Sequence, residues 1–126
     1  MPTSVWKGKT FKRESNSRFG VRTFSFMNQK IRLHYSDGHT TDVVYADIEQ
    51  LGDRKIRFRS RFGEGTANGT RIGLSGKEFK KKCYICRQNS DGTKMFVKIK
   101  IWYTDGTIRN EDWSHKALEY TEYDGY

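Results

Sequence analysis

The chain of 126 residues is long enough for one domain or two very small ones and can bury only a modest core. Hydrophobic residues make up 34% and aromatic residues 14%, which argues against a disordered chain. A formal net charge of +9 predicts attraction to polyanions, nucleic acid first and anionic membrane or protein surfaces after it. No apolar run approaches the about 18 residues of a membrane-spanning helix.

The N-terminal segment, residues 1–17, combines aromatic residues with several cations and has no signal-peptide core. It predicts either a mobile basic arm or an edge strand held to the core by Trp6 and Phe11. We therefore expect an intracellular protein, in the cytoplasm or in the nucleoid or nucleus, that is not secreted.

Two stretches of similar sequence, residues 30–40 and 98–108, show the clearest pattern in the chain. In each, apolar side chains alternate with polar ones as in a strand with one buried face, and an Asp-Gly turn follows. The similarity indicates either an internal duplication or two hairpins that converged. The predicted core residues are Ile31, Leu33, Tyr35, Met95, Val97, Ile99, Ile101 and Tyr103. The predicted outward residues are Lys30, Arg32, His34, Lys94, Phe96, Lys98, Lys100 and Trp102.

A third alternating stretch, residues 55–62, places four cations on one face of a predicted strand. Like charges this close repel each other unless anions lie nearby, so the pattern favours a polyanion-binding face. The alternative is an edge strand that uses charge to prevent aggregation. The four cations are Lys55, Arg57, Arg59 and Arg61.

Residues 63–76 contain five glycines and predict a linker or a long loop. They do not complete a phosphate-binding loop, because neither a Lys-Ser/Thr pair nor a helix follows. The segment would divide the chain into an N-terminal β unit with a basic arm, residues 1–62, and a C-terminal β unit with an acidic tail, residues 77–126.

Residues 77–88 precede a turn and should pair with residues 94–103 as a hairpin. Cys83 and Cys86 have the CxxC spacing of zinc sites, but residues three apart on a strand point to opposite faces. We therefore expect structural thiols and neither a metal nor another cofactor. One predicted face carries Lys80, Lys82, Tyr84 and Cys86, and the other carries Lys81, Cys83, Ile85 and Arg87.

The C-terminal residues 112–126 have a local charge of −3. Asn110 is a suitable N-cap for a short helix, and the tail beyond it is either an autoinhibitor of the basic face or a solvated end. Asp105, Glu111 and Asp112 are the carboxylates that a metal-dependent nuclease could use, but a turn and a helix start already account for them. No serine lies in a nucleophile elbow, so we predict no enzyme.

These patterns predict an all-β, antiparallel protein with at most one short helix. Two architectures fit, namely two similar small barrels or one pseudo-symmetric β domain. The strand, the Asp-Gly turn and the aromatic return strand resemble SH3-like or Tudor-like barrel modules over about 20 residues of each half. The resemblance implies a small barrel and is one of architecture alone.

The function predicted from the sequence is non-enzymatic nucleic-acid binding of low sequence specificity by a basic, aromatic sheet face. Outward aromatic side chains favour single-stranded DNA or RNA. The alternatives are a small inhibitor or adaptor, for example phage-encoded, that binds an acidic host protein surface, and a sponge for an anionic nucleotide. A homodimer is compatible with each. The predicted binding residues are Arg32, His34, Lys55, Arg57, Arg59, Arg61, Lys80, Lys82, Phe96, Lys98, Lys100 and Trp102.

Overall fold

The structure is a computed structural model that describes residues 5–13, 21–36, 38, 40–59, 71–72, 78–111 and 119–123. These residues form eleven β-strands and one short 3-10 helix, Tyr45–Asp47. The strands are β1 (Thr10–Arg13), β2 (Val21–Phe26), β3 (Lys30–Tyr35), β4 (Thr40–Val44), β5 (Glu49–Gly52), β6 (Lys55–Arg59), β7 (Arg71–Ile72), β8 (Glu78–Gln88), β9 (Lys94–Tyr103), β10 (Ile108–Glu111) and β11 (Glu119–Glu122).

All the described strands belong to one antiparallel sheet. Nine of them lie side by side in the order β4-β3-β2-β1-β11-β9-β8-β6-β5, while β10 pairs with β9 and β7 pairs with β8. The described residues include no α-helix, and hence no helix long and apolar enough to cross a membrane. The prediction of an all-β, antiparallel fold is confirmed.

The sheet curls into a half-barrel around an aromatic core. In a flat sheet β2 and β6 would be about 24 Å apart, because four strands lie between them at about 4.8 Å per step. Instead, the ring centroids of Phe24 on β2 and Phe58 on β6 are 6.4 Å apart. Tyr84 and Tyr120 contact the Phe24 ring edge-on. The 3-10 helix Tyr45–Asp47 connects β4 with β5, the two strands at the ends of the sheet.

The alternation predicted for β3 and β9 is confirmed. Every predicted core residue of β9 from Met95 to Tyr103 is buried, and so are Ile31 and Leu33 of β3, while Tyr35 packs partly buried against the core. Burial of one face stabilises the sheet by about 25 cal/mol per Å² of apolar surface removed from water. The opposite face of the same strands remains accessible.

The two Asp-Gly hairpins share one pairing register. Residues of β3 pair with β4 at the same relative positions at which residues of β9 pair with β10. In the turns, Gly38 N–H donates to the Tyr35 carbonyl at 3.0 Å and Gly106 N–H to the Tyr103 carbonyl at 3.2 Å. The φ angles of +97° and +90° explain why glycine occupies both positions. Convergent hairpins also reach this geometry, so an internal duplication stays a prediction.

One sheet and one core include strands from both predicted units, since β1 pairs with β11 and β6 pairs with β8. This arrangement favours a single β domain over two separate barrels. The Gly-rich residues 63–70 and 73–76 lie outside the described residues, so the unit boundaries stay a prediction.

The N-terminal segment is built into the sheet over residues 5–13. Trp6 and Phe11 are fully buried, and the Trp6 ring packs against Phe26 with centroids 4.9 Å apart. β1 lies between β2 and β11, so it is an interior strand and not the edge strand of the alternative prediction. Two aromatic anchors and a partner on each side explain this position.

The acidic C-terminal end is also part of the sheet over residues 119–122. β11 lies between β1 and β9, where Glu119 pairs with Lys94 at 3.1 Å and Glu122 with Lys9 at 3.8 Å. These residues are therefore neither a solvated end nor a flap over another face. The prediction of a helix from Asn110 is wrong for its first turn. The chain continues as β10 up to Glu111, because these residues find backbone partners on β9. Residues 112–118 lie outside the described residues.

A substitution at Tyr120 tests how much β11 contributes to the stability of the sheet. Its buried hydroxyl donates to the carbonyl oxygen of Val21, so Tyr120→Phe should lower the free energy of unfolding by about 1–2 kcal/mol. Urea denaturation followed by tryptophan fluorescence measures the loss. Tyr123→Phe is the control, because Tyr123 is exposed and should change stability by less than about 0.5 kcal/mol. Equal losses in the two variants would contradict this role.

Candidate functional site

Outward-facing cations from three neighbouring strands lie on one side of the sheet. On β6 the exposed Arg57 and Arg59 alternate with the buried Ile56 and Phe58. On β9 the outward lysines alternate with buried aliphatic residues in the same way. We call six of the described outward cations of these strands the basic face: Lys55, Arg57 and Arg59 of β6, Arg87 of β8, and Lys98 and Lys100 of β9.

The register of β8 brings the cations of β6 and β9 together. Ile85 of β8 pairs with Arg57 of β6 on one side and with Lys98 of β9 on the other. Directly paired residues on neighbouring strands point to the same face, and each step across the sheet is about 4.8 Å. The backbones that carry Arg57 and Lys98 are therefore about 10 Å apart across β8.

The next described outward position of β8 is Cys83, and it also has a cation on each neighbouring strand. Cys83 of β8 pairs with Arg59 on β6 and with Lys100 on β9. Burial raises the pKa of the Cys83 thiol, and the nearby positive charges of Arg57, Arg59 and Lys100 oppose that shift. A thiol with a raised pKa stays protonated and inert, which fits a structural role.

Cys86 faces the core, so the two thiols lie on opposite faces of β8 as predicted. Burial raises its pKa strongly, and both cysteines are free. The described residues contain no group of three or more side chains that could hold a metal ion. Of the carboxylates considered for a nuclease, Asp105 accepts hydrogen bonds from Thr107 in its turn, and Asp112 lies outside the described residues.

Positive charge on the basic face is only partly neutralised. Arg57 forms an ion pair with Glu49 of β5. Within the described part of the chain, Arg59, Lys98 and Lys100 form no ion pair. The described outward side chains of β6, β8 and β9 include no carboxylate.

Two partly exposed aromatic rings border the basic face on β9. The guanidinium carbon of Arg87 is 5.1 Å from the centroid of the Phe96 ring, and the Lys100 ammonium is 5.1 Å from that of Trp102. Cations in this position are attracted to the ring face. The predicted placement of Phe96 and Trp102 beside outward lysines is therefore present in the structure.

Arg32 and His34 of β3 lie elsewhere on the sheet, since β2, β1 and β11 separate β3 from β9. His34 Nε2 lies 3.3 Å from Ser25 Oγ. Burial and the positive charge of Arg32 lower the pKa of His34, which keeps the imidazole neutral at pH 7. His34 therefore lies apart from Phe96 and Trp102, and its role in base stacking stays a prediction.

Arg32 shares one carboxylate with a second cation. It donates to both oxygens of Asp42, at 2.9 Å and 3.3 Å, and Lys30 donates to the same carboxylate at 2.9 Å. These bonds lower the pKa of Asp42 to about 2. One carboxylate balances only one of the two cations, so Asp42 lowers the net charge of this part of β3 and β4 without cancelling it, and phosphate binding by Arg32 stays a prediction.

Lys82, which the alternation assigns to the binding set, lies on the inward side of β8. It is 6% exposed and shares that side with the buried Tyr84 and Cys86, so it is not displayed with the basic face. The side chains of Lys80 and Arg61 lie outside the described residues. Among the described side chains of β8, the outward cation is Arg87, which sequence reasoning placed on the correct strand face but did not select. The aromatic Tyr84 is the signal that could have identified the inward face.

Comparisons of the chain with protein-family models, with curated proteins and with solved structures find no match.

The lowered pKa of Asp42 predicts that the stability of the protein falls as the pH is lowered through the acid range. A carboxyl whose pKa is lowered on folding stabilises the protein above its unfolded pKa of 3.8 and loses that contribution as the pH falls towards about 2. Asp42→Asn should therefore lower Tm at pH 7, and its difference from wild type should shrink over that pH range. Thermal denaturation across it measures the effect, with Asp47→Asn as the control for loss of one charge. A difference that does not change with pH would contradict the assignment.

Proposed function

We propose that this protein binds nucleic acid through the basic face and catalyses no reaction on it. One observation carries the proposal: β8 aligns Arg57 and Arg59 of β6 with Lys98 and Lys100 of β9 on one surface. Like charges gathered on neighbouring strands repel each other, and the repulsion is relieved when a polyanion binds.

Phosphate groups are the natural ligands of such a surface. Lysine and arginine side chains neutralise phosphates and release condensed counterions, which gives affinity without reading the sequence. The described residues include no helix that could enter a major groove, and phosphate contacts carry no sequence information. Low sequence specificity follows.

The partly exposed rings of Phe96 and Trp102 favour nucleic acid over an acidic protein surface, because bases stack on aromatic side chains. An inhibitor or adaptor that binds an acidic protein would bind nucleic acid through charge alone, so it would bind an oligonucleotide no more tightly than a polyanion of equal charge without bases. A sponge for a small anionic nucleotide would bind mononucleotides as tightly as longer chains. Both alternatives are therefore outcomes of the binding experiments below.

Salt dependence tests the phosphate contacts directly. Six contacts predict that log K falls against log salt with a slope of about −4 to −5. Replacing Lys98 and Lys100 by Gln should weaken binding to any sequence and reduce the slope by about 2. Fluorescence anisotropy of labelled oligonucleotides at several salt concentrations measures both. Arg32→Gln is the matched control, because it removes a cation outside the basic face, and it should leave the slope unchanged. A wild-type slope near zero would refute the proposal.

A substitution at Glu49 should raise the affinity for nucleic acid, whereas the lysine substitutions should lower it. Its carboxylate holds the Arg57 guanidinium in an exposed ion pair, so Glu49→Gln frees Arg57 for phosphate at little cost in stability. We expect affinity for nucleic acid to rise about two- to fivefold, measured by the same anisotropy titration. Glu122→Gln changes the net charge equally but lies away from the basic face, and it should have a smaller effect. A weaker-binding Glu49→Gln variant would contradict the assigned role of Arg57.

A further inference from the structure

The uncharged residues between the two rows of cations indicate which form of nucleic acid the basic face binds. Ile85 and Cys83 of β8 are uncharged and short, and they lie between the outward cations of β6 and those of β9. The two rows of cations are about 10 Å apart across β8. The outward side of β8 therefore carries two uncharged residues between the two rows of positive charge, with Arg87 next to Ile85 at one end.

The outward side of β9 has an aromatic ring near each end of its row of cations. Phe96 and Trp102 are six residues apart, which corresponds to about 20 Å along a strand, and Lys98 and Lys100 lie between them. A stacked strand of nucleic acid rises about 3.4 Å per nucleotide, so this length matches about six nucleotides.

Apolar surface extends beyond one of the rings. Ile108 of β10 pairs with Trp102 and is 51% exposed. At the other end, the Arg87 guanidinium lies over the Phe96 ring and is itself exposed. Both an aromatic ring and a guanidinium plane are surfaces on which a base stacks.

A duplex keeps the faces of its bases inside its own stack and so cannot use these rings. Unpaired bases can use them, because every base has a π-face to offer. We propose that the ligand of the basic face is a single-stranded nucleic acid that lies along β9 over about six nucleotides. Its phosphates contact Lys98, Lys100 and the β6 arginines, and its bases stack at Phe96 and at Trp102. This inference rests on the proposed function and names the form of nucleic acid.

The experiment separates stacking from charge. Phe96→Leu and Trp102→Leu each remove a ring but keep an apolar side chain. Each should weaken binding of an oligothymidylate of about twelve nucleotides about tenfold. Binding of inorganic polyphosphate, which has no bases, should stay within about twofold of wild type, and this shows that the variants are folded. Oligouridylate should respond to the same substitutions, and its affinity relative to oligothymidylate distinguishes RNA from DNA as the preferred strand.

Tyr123→Leu is the matched control. The Tyr123 ring is exposed and has the Lys12 ammonium 5.2 Å from its centroid, but it lies outside the basic face. Its removal should change the affinity for neither ligand.

Two further readouts follow from the geometry. Affinity should rise with oligothymidylate length up to about six nucleotides and then level off. Tryptophan emission should be quenched on binding in wild type and much less in Trp102→Leu.

The outcomes distinguish this inference from the proposed function. If both leucine variants bind oligothymidylate as tightly as wild type, or lose polyphosphate binding to the same extent, the rings do not stack on bases and the inference is overturned. A duplex bound more tightly than a single strand of equal length overturns it as well, while nucleic-acid binding itself stands. If wild type binds none of these ligands at low salt, the proposed function is overturned.

Discussion

The pairing register of β8 with β6 and β9 is the constraint on which the distribution of charge in this protein depends. On the inward side, Phe58, Tyr84 and Ile99 are paired across the three strands and buried. The Phe58 and Tyr84 rings stack with centroids 5.3 Å apart. A slip by one residue would turn this row to solvent and drive arginine and lysine side chains into the core. The buried row therefore fixes which cations share the outward side.

The curl of the sheet also affects how far apart the outward cations lie. Because the strands wrap around Phe24 and its aromatic neighbours, the inward side chains converge on one core and the outward ones diverge. Divergence lowers the repulsion among Arg57, Arg59 and the β9 lysines and spreads them over a convex surface. A convex surface with distributed charge suits a long, flexible polyanion better than a compact one.

Ion pairs elsewhere on the sheet lower the net positive charge away from the basic face. Asp42 balances one of the two charges of Lys30 and Arg32, and the acidic residues of β11 neutralise Lys94 and Lys9. Apart from the Asp42 pairs, exposed pairs of this kind contribute little to stability. Their effect is on the electrostatic field, because they lower the positive charge of β3 and of one end of β9, while Lys12 of β1 and Arg22 of β2 stay exposed outside the basic face.

Local pattern was sufficient to predict β3, β6, β8 and β9, the faces of β3, β6 and β9 and the Asp-Gly turns, because a side-chain period of two and a left-handed turn position follow from backbone geometry alone. It could not place β11, whose partners β1 and β9 are distant in sequence, nor exclude the helix at Asn110. Local pattern also treated His34 and Trp102 alike, since they hold equivalent positions in two similar hairpins. Only the tertiary structure decided that Trp102 borders the basic face and that His34 lies beyond three intervening strands. The reason is physical: which side chains meet across a sheet depends on strand order and register, and nonlocal packing of the core sets both.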